Sequence, residues 1–260
     1  MKKIAFAILT FLISASFIIL NGDIFRWRFD KFKKLTFKYG QVESAKSEFF
    51  GNKKMNTFNK LDGQLVVKVK SDTLADIVLE DLKMTTCNID SLGDTLMVMT
   101  HSVPEMFIQD LKEDGTIEGQ LNGQMEMLAK TLFPITNKKA EIGDSTDLSM
   151  TMPFNLLGST INVKGYNRVK YLGNVEGVDK FETIINVSEY TIPDDVKTKY
   201  KCYVKGNSKF DFSSQKGYFT NGMININVAF GTESSESSQS MMNMSMDMNT
   251  QIVLQLVTAE

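Results

Sequence analysis

The strongest constraint on the fold lies at the end of the chain. From residue 242 onward the even positions read Met242, Met244, Met246, Met248, Thr250, Ile252, Leu254 and Leu256. The odd positions Asn243, Ser245, Asp247, Asn249 and Gln251 are polar, and apolar residues enter only at Val253 and Val257. Side chains alternate across a β-strand, so this parity places every even residue on one face. A period of 3.6 would scatter them around a helix. The chain therefore contains a long strand whose one face covers an apolar interior.

The ten residues 240–249, "SMMNMSMDMN", hold five of the sixteen methionines, which raises a second question. Thioethers are soft ligands that suit Cu(I), and same-face residues of a strand lie about 6.6 Å apart. Against copper, no His or Cys stands nearby, and the apolar face continues in phase through Ile252, Leu254 and Leu256. A metal site needs no such continuation, whereas a sheet covering a core or cavity does. The reading is therefore no metal and no cofactor. Methionine is unbranched and polarizable, so it lines irregular cavities and adaptable surfaces. Met97, Met99, Met106, Met125, Met127, Met150 and Met152 add to the supply.

Period two dominates the rest of the chain. Phe25-Arg-Trp-Arg-Phe29 and Leu35-Thr-Phe-Lys-Tyr39 alternate aromatic or apolar residues with mostly cationic ones. Asp62-Gly63 reads as a turn before the strand Gln64–Lys70. The segment 73–87 is ambiguous: Leu74, Val78, Leu82 and Met84 allow a helix, but the β-branched residues and the alternation of Leu82, Met84 and Thr86 favour an extended segment. Residues 95–100 and 106–110 read as strands, followed by an Asp114-Gly115 hairpin turn. The exception is Gln120–Leu132, where Leu121, Met125, Leu128 and Leu132 recur at helical spacing and Pro134 supplies a stop. Further strands are expected at 147–152, 160–164, 168–172, 181–187, 200–204, 209–212 and 223–230, with Gly158, Gly165, Gly173, Gly177, Gly206, Gly217 and Gly222 between them as turns. The fold class is thus mainly β: a large curved antiparallel sheet, half-barrel or open barrel, closed by one amphipathic helix.

Met1-Lys-Lys followed by the apolar run Ile4–Leu20 reads as a secretory signal peptide over residues 1–22, with an uncleaved anchor as the alternative. Residues 23–260 are then read as a single β-rich domain with a Ser-rich hairpin loop at 232–240. The expected location is the periplasm or outside the cell. Hydrophobic residues make up 42% and charged residues 23%, as in a folded globular protein, and the net charge of −2 argues against nucleic acid as a partner. Arg26, Arg28, Lys34 and Lys38 form a basic stretch that can touch a membrane surface or an envelope polymer; the alternative is the solvated face of a strand. Cys87 and Cys202 leave a disulfide or two buried thiols open.

Residues for catalysis are sparse. His101 is the single histidine, and no CxxC pair, His cluster, calcium loop or phosphate-binding glycine loop is present. The expectation is a protein that is not an enzyme.

Leu132-Phe-Pro-Ile135 with Ala140-Glu-Ile-Gly-Asp-Ser145, and the closing M-x-M-x-M-x-M strand, resemble segments of a family of uncharacterised secreted bacterial proteins. Members of that family often carry Trp after the Gly-Asp-Ser/Thr, where this chain has Thr146 and Asp147. The resemblance brings no catalytic residues with it. The order of strands, helix and strands is also similar to that of periplasmic lipoprotein carriers, whose curved sheet and covering helices imply a lipid-binding cavity. The resulting expectation is a carrier or sensor of a lipid or acyl chain, with Met242, Met244, Met246, Met248 and Leu128 lining the site. The alternative is an envelope structural or interaction module with a solid core.

Overall fold

The first and last strands pair in the middle of one antiparallel sheet. The computed structural model describes residues 24–49, 53–90, 92–117, 123–156, 159–191, 200–232 and 244–260. The expected signal peptide at 1–22, the Ser-rich stretch after Thr232 and Met242 lie outside them. In chain order the strands are β1 (Lys34–Phe49), β2 (Lys53–Ser71), β3 (Leu74–Ile89), β4 (Thr95–Ser102), β5 (Met106–Lys112), β6 (Ser145–Leu156), β7 (Ser159–Val175), β8 (Val178–Glu189), β9 (Tyr200–Ser213), β10 (Tyr218–Thr232) and β11 (Met244–Ala259). One helix, α1 (Gly123–Leu132), separates β5 from β6. The sheet order is β4-β3-β2-β1-β11-β10-β9-β8-β7-β6, with β5 also on β3. β4 pairs with the second half of β3 and β5 with its first half. The two form one edge, interrupted at 103–105, where the Val103 amide donates to the Leu82 carbonyl.

The sheet is not closed, but it is strongly curved. β3 and β7 stand seven strand spacings apart, about 34 Å if the sheet were flat. Leu79 of β3 and Val169 of β7 nevertheless belong to one buried cluster. Sequence features supply the bending. Gly63, expected as a turn residue, lies inside β2 at a bulge: a Cβ there would sit 2.6 Å from Leu82 Cδ2, and the opposite strand carries Asp81 at φ +57°. Gly165 and Gly206 are likewise strand residues, where a Cβ would fall 2.0 Å and 2.3 Å from a neighbouring carbonyl oxygen. Gly173 and Gly222 also lie within strands, whereas Gly177 and Gly217 do occupy turns. The pairs 160–164 with 168–172, and 200–204 with 209–212, therefore merge into the single long strands β7 and β9.

A second departure concerns Phe25–Phe29. Its alternation is intact, but it forms no ladder. The segment crosses the concave side of the sheet as an extended plug, tied by the Trp27 amide to the Glu113 carbonyl, the Arg28 amide to the Gly217 carbonyl and a bridge between Ile24 and Lys139. Phe25, Trp27, Phe29 and Phe32 are all buried. Trp27 meets Phe29, Phe133 and Phe219 with ring centroids 5.2–5.9 Å apart. Four buried aromatics remove about 800 Å² from water, worth about 20 kcal/mol as an upper bound. Ordering residues 24–32 costs on the order of 14 kcal/mol. The net gain from seating the plug is therefore at most a few kcal/mol.

Cys87 and Cys202 are free thiols. They lie on strands five places apart in the sheet and on opposite faces, so the disulfide does not form. Burial pushes the Cys202 thiol pKa up to about 11.

Candidate ligand-binding face

The strand register turns the concave side into a set of cross-strand rows. The middle row runs Asn167, Ile185, Gly206, Ile226, Thr250, Glu43, Asn59, Thr86, Met99 from β7 to β4. The row below it runs Val169, Thr183, Ser208, Ile224, Ile252, Gln41, Leu61, Met84, His101. The row above it runs Gly165, Val187, Val204, Val228, Met248, Ala45, Thr57, Asn88, Met97. Below the middle row, the plug, Leu132, Phe133 and Ile135 fill the concavity. Above it, and reaching it at Ile185, a smaller cluster of Met150, Phe154, Ile161, Val163, Ile185, Val187, Cys202, Val204 and Val228 covers only the β6–β10 side.

The even parity of β11 places Met246 and Met248 as the alternation implied. Ile252 and Leu254 are buried in the lower cluster, and Met248 and Met246 continue the same face upward, half-buried. Met248 packs on the upper cluster. Met246 pairs across with Ser47 and Phe230, and the Met244 backbone pairs with Phe49 at the strand end. Leu128 is half-buried against the lower cluster, so the register separates it from the methionines. The helix residue that reaches the upper cluster is Met127, off the apolar stripe read from the sequence. With Met127, Met152, Met248, Ile226, Phe230 and Tyr190, all partly exposed, the upper half presents an apolar wall beside open sheet.

The opposite wall is polar and was missed in the sequence. The Tyr39 hydroxyl donates to Gln41 Oε1 at 2.5 Å, and Gln41 Nε2 donates to Glu43 Oε2 at 3.4 Å. Asn59 Nδ2 donates to Glu43 Oε1 at 2.7 Å, and the Thr86 hydroxyl donates to Asn59 Oδ1 at 2.8 Å. Every donor in this chain leads toward Glu43, so the carboxylate is the sink of the network and keeps unused lone pairs. Burial, and then the Glu43 charge, push the Tyr39 pKa up, which keeps its hydroxyl protonated as a donor. The signal was available: the parity of Leu35, Phe37 and Tyr39 carries on through Gln41 and Glu43.

One surface depression of about 420 Å³ touches Met246, but most of its lining, including Lys46, Glu48, Lys54, Lys201 and Asp247, belongs to the outer parity or the strand ends. Of the basic stretch, Arg26 and Lys38 are exposed and Lys34 is half-buried. Arg28 is held by Asp30 at 3.1 Å. His101 sits on β4 opposite Met84, with Nδ1 enclosed and unpaired. Among the described residues no three His, Cys, Asp or Glu gather as a metal would require, and no helix is long and apolar enough to cross a membrane.

No family model matches the chain, and no curated protein matches it. Among solved structures it is similar to the translocator domain of the autotransporter NalP from Neisseria meningitidis, at 6% identity over 86% of this chain and 88% of that one, with a TM-score of 0.22. It is also similar to the InvG secretin domain β-barrel from the Salmonella SPI-1 injectisome, at 10% identity over 98% and 68%, with a TM-score of 0.19. Scores this low reflect many antiparallel strands rather than a common arrangement, and no argument about function is drawn from them.

Proposed function

We propose that the protein is a non-catalytic cell-envelope carrier or sensor of an amphiphile. The acyl chain lies along the upper apolar wall of Met127, Met152, Met248, Ile226 and Phe230, and the polar head meets the wall of Glu43, Asn59 and Thr86. The observation that carries this reading is the unfinished upper half of the concave face. A second apolar cluster stands there with half-buried methionines and aromatics along its rim, while the lower half is filled by the chain's own aromatics. Flexible thioethers suit a surface that receives chains of variable shape. The envelope location rests on the basic and apolar leader pattern of residues 1–20.

The test is native mass spectrometry of the protein purified from its own envelope. A mass excess that matches an acyl lipid and disappears on organic extraction is the expected result. A bare mass that stays bare after incubation with lipid extract overturns the reading.

The alternative, a structural or interaction module with a solid core, draws support from the filled lower half. It places no ligand on the Met-bearing wall.

A further inference from the structure

The two edges of the sheet differ in how they are finished. An edge strand offers unpaired N–H and C=O groups, and proteins usually blunt it with charge, proline, bulges or a covering element. β6 has three such devices. Pro153 lies within it, Arg168 grips Asp147 at 2.7 Å, and Lys130 of α1 reaches over to donate to the Ser149 carbonyl at 2.7 Å. β5 carries Asp110, bound by Lys70 at 2.7 Å. β4 has no charge, proline or covering element among the described residues, and its one register shift lies at its start, where Thr95 rather than Leu96 pairs with Ile89. Its sequence TLMVMTHS contains no carboxylate, lysine, arginine or proline, and no strand pairs with its outer edge among the described residues.

Its side chains are equally unfinished. Leu96, Met97, Val98 and Met99 are 62%, 43%, 63% and 46% exposed. Four consecutive exposed apolar residues on both faces of an edge form the kind of patch that marks an interaction site.

We propose that β4 is the docking edge for a second copy of this chain, joined antiparallel about a two-fold axis through Val98. The occupant follows from self-complementarity. With the axis normal to the sheet, Val98 faces Val98 of the second copy, Met97 faces its Met99, and Leu96 faces its Thr100. The methionines stay on the concave side, as their partners Asn88 and Thr86 do, and the outer apolar patch of Phe58 and Val98 is extended. No like charges are brought together anywhere along the strand. A two-fold interface needs only one such patch per chain. Seven paired residues and four apolar side chains from each copy cover on the order of 1,000 Å² in total, the lower limit for a specific interface. The dimer is therefore expected to dissociate in the micromolar range, about 1–100 μM.

The test is sedimentation velocity on the protein as its own cell processes it, between about 1 and 200 μM, with amide exchange followed at both ends of that range. The expected result is a shift from monomer to dimer, with amides of residues 95–101 gaining protection as the dimer forms. The exposed-site variant Leu96→Lys/Val98→Lys, checked for an unchanged circular dichroism spectrum, stays monomeric throughout. A wild-type protein that is monomeric at every concentration overturns the proposal. So does a dimer that leaves those amides freely exchanging, or open-ended species larger than a dimer. The amide measurement on the wild type decides the matter even if the variant does not fold.

Discussion

The lower and upper halves of the concave face use the same sheet in opposite ways. Below the row of Glu43 and Asn59, aromatic rings from outside the sheet fill the concavity, and Trp27, Phe37, Leu65 and Leu132 have no exposed surface. Above that row, the apolar residues come from the sheet and one helix side chain, and those on the rim remain half-exposed. The difference lies in the residue types. Rigid rings fix one packing, whereas methionine tolerates several. Stability is thus concentrated at one end of the sheet and adaptability at the other.

The largest expected effect tests the filled half. Trp27→Ala removes a fully buried ring from contact with Phe29, Phe133 and Phe219, and should cost about 4 kcal/mol in chemical denaturation. A loss under about 1 kcal/mol would mean that the plug is not part of the core.

Asp179 ties down the same end of the sheet. It is buried and accepts from the Tyr171 hydroxyl and Asn174 Nδ2, both at 2.9 Å, and from the Ser214 amide and hydroxyl. It thereby fastens the β7–β8 turn to the β9–β10 turn. Asp179→Ala strands these donors and should cost about 2–3 kcal/mol, with amides near 174 and 214 exchanging faster. Unchanged exchange at both turns would contradict this role.

The matching substitution in the upper half should cost far less stability. Met248→Ala removes a half-buried side chain and is expected to lower stability by about 1 kcal/mol while weakening acyl-chain retention several-fold. The contrast between this variant and Trp27→Ala is the sharpest measure of the two halves. Equal losses of stability, with retention unchanged, would make both halves ordinary core.

The legibility of these halves in the sequence was uneven. Parity alone placed Met246 and Met248 on the face of Ile252 and Leu254, because alternation is a local property of extended chain. The same rule read past Tyr39 would have reached Glu43. The strand Phe25–Phe29 misled because alternation requires only an extended backbone, and its hydrogen bonds go to turn carbonyls at Glu113 and Gly217 instead of a ladder. Gly165 and Gly206 misled for a different reason. They mark close approach between neighbouring strands in a curved sheet, which depends on residues 20 or so positions away and leaves no local signature. Met127 was hidden because the helical stripe identifies the face on the main core, not the flank that touches the second cluster.

The smallest effect tests whether the outer face distinguishes the halves at all. Asp147 accepts from Arg168 Nε at 2.7 Å and from Nη2 at 2.8 Å, on the outer side of β6 and β7. The Arg168 hydrogen bond lowers the Asp147 pKa, and this outweighs a small opposing effect of desolvation. A folded pKa below the unfolded value means that the stabilisation is present above the unfolded pKa, about 3.9, and is lost as pH falls through the folded one. Both groups are well exposed, so solvent screening keeps the contribution small. Asp147→Asn should therefore be slightly less stable than wild type at pH 6, and the gap should narrow steadily as pH falls below about 3.9 and shrink in salt. If the gap does not narrow with falling pH, the pair is not its source. The strand edge would then be held by Pro153 and the Lys130 contact, and the charge on the outer face would serve solubility alone.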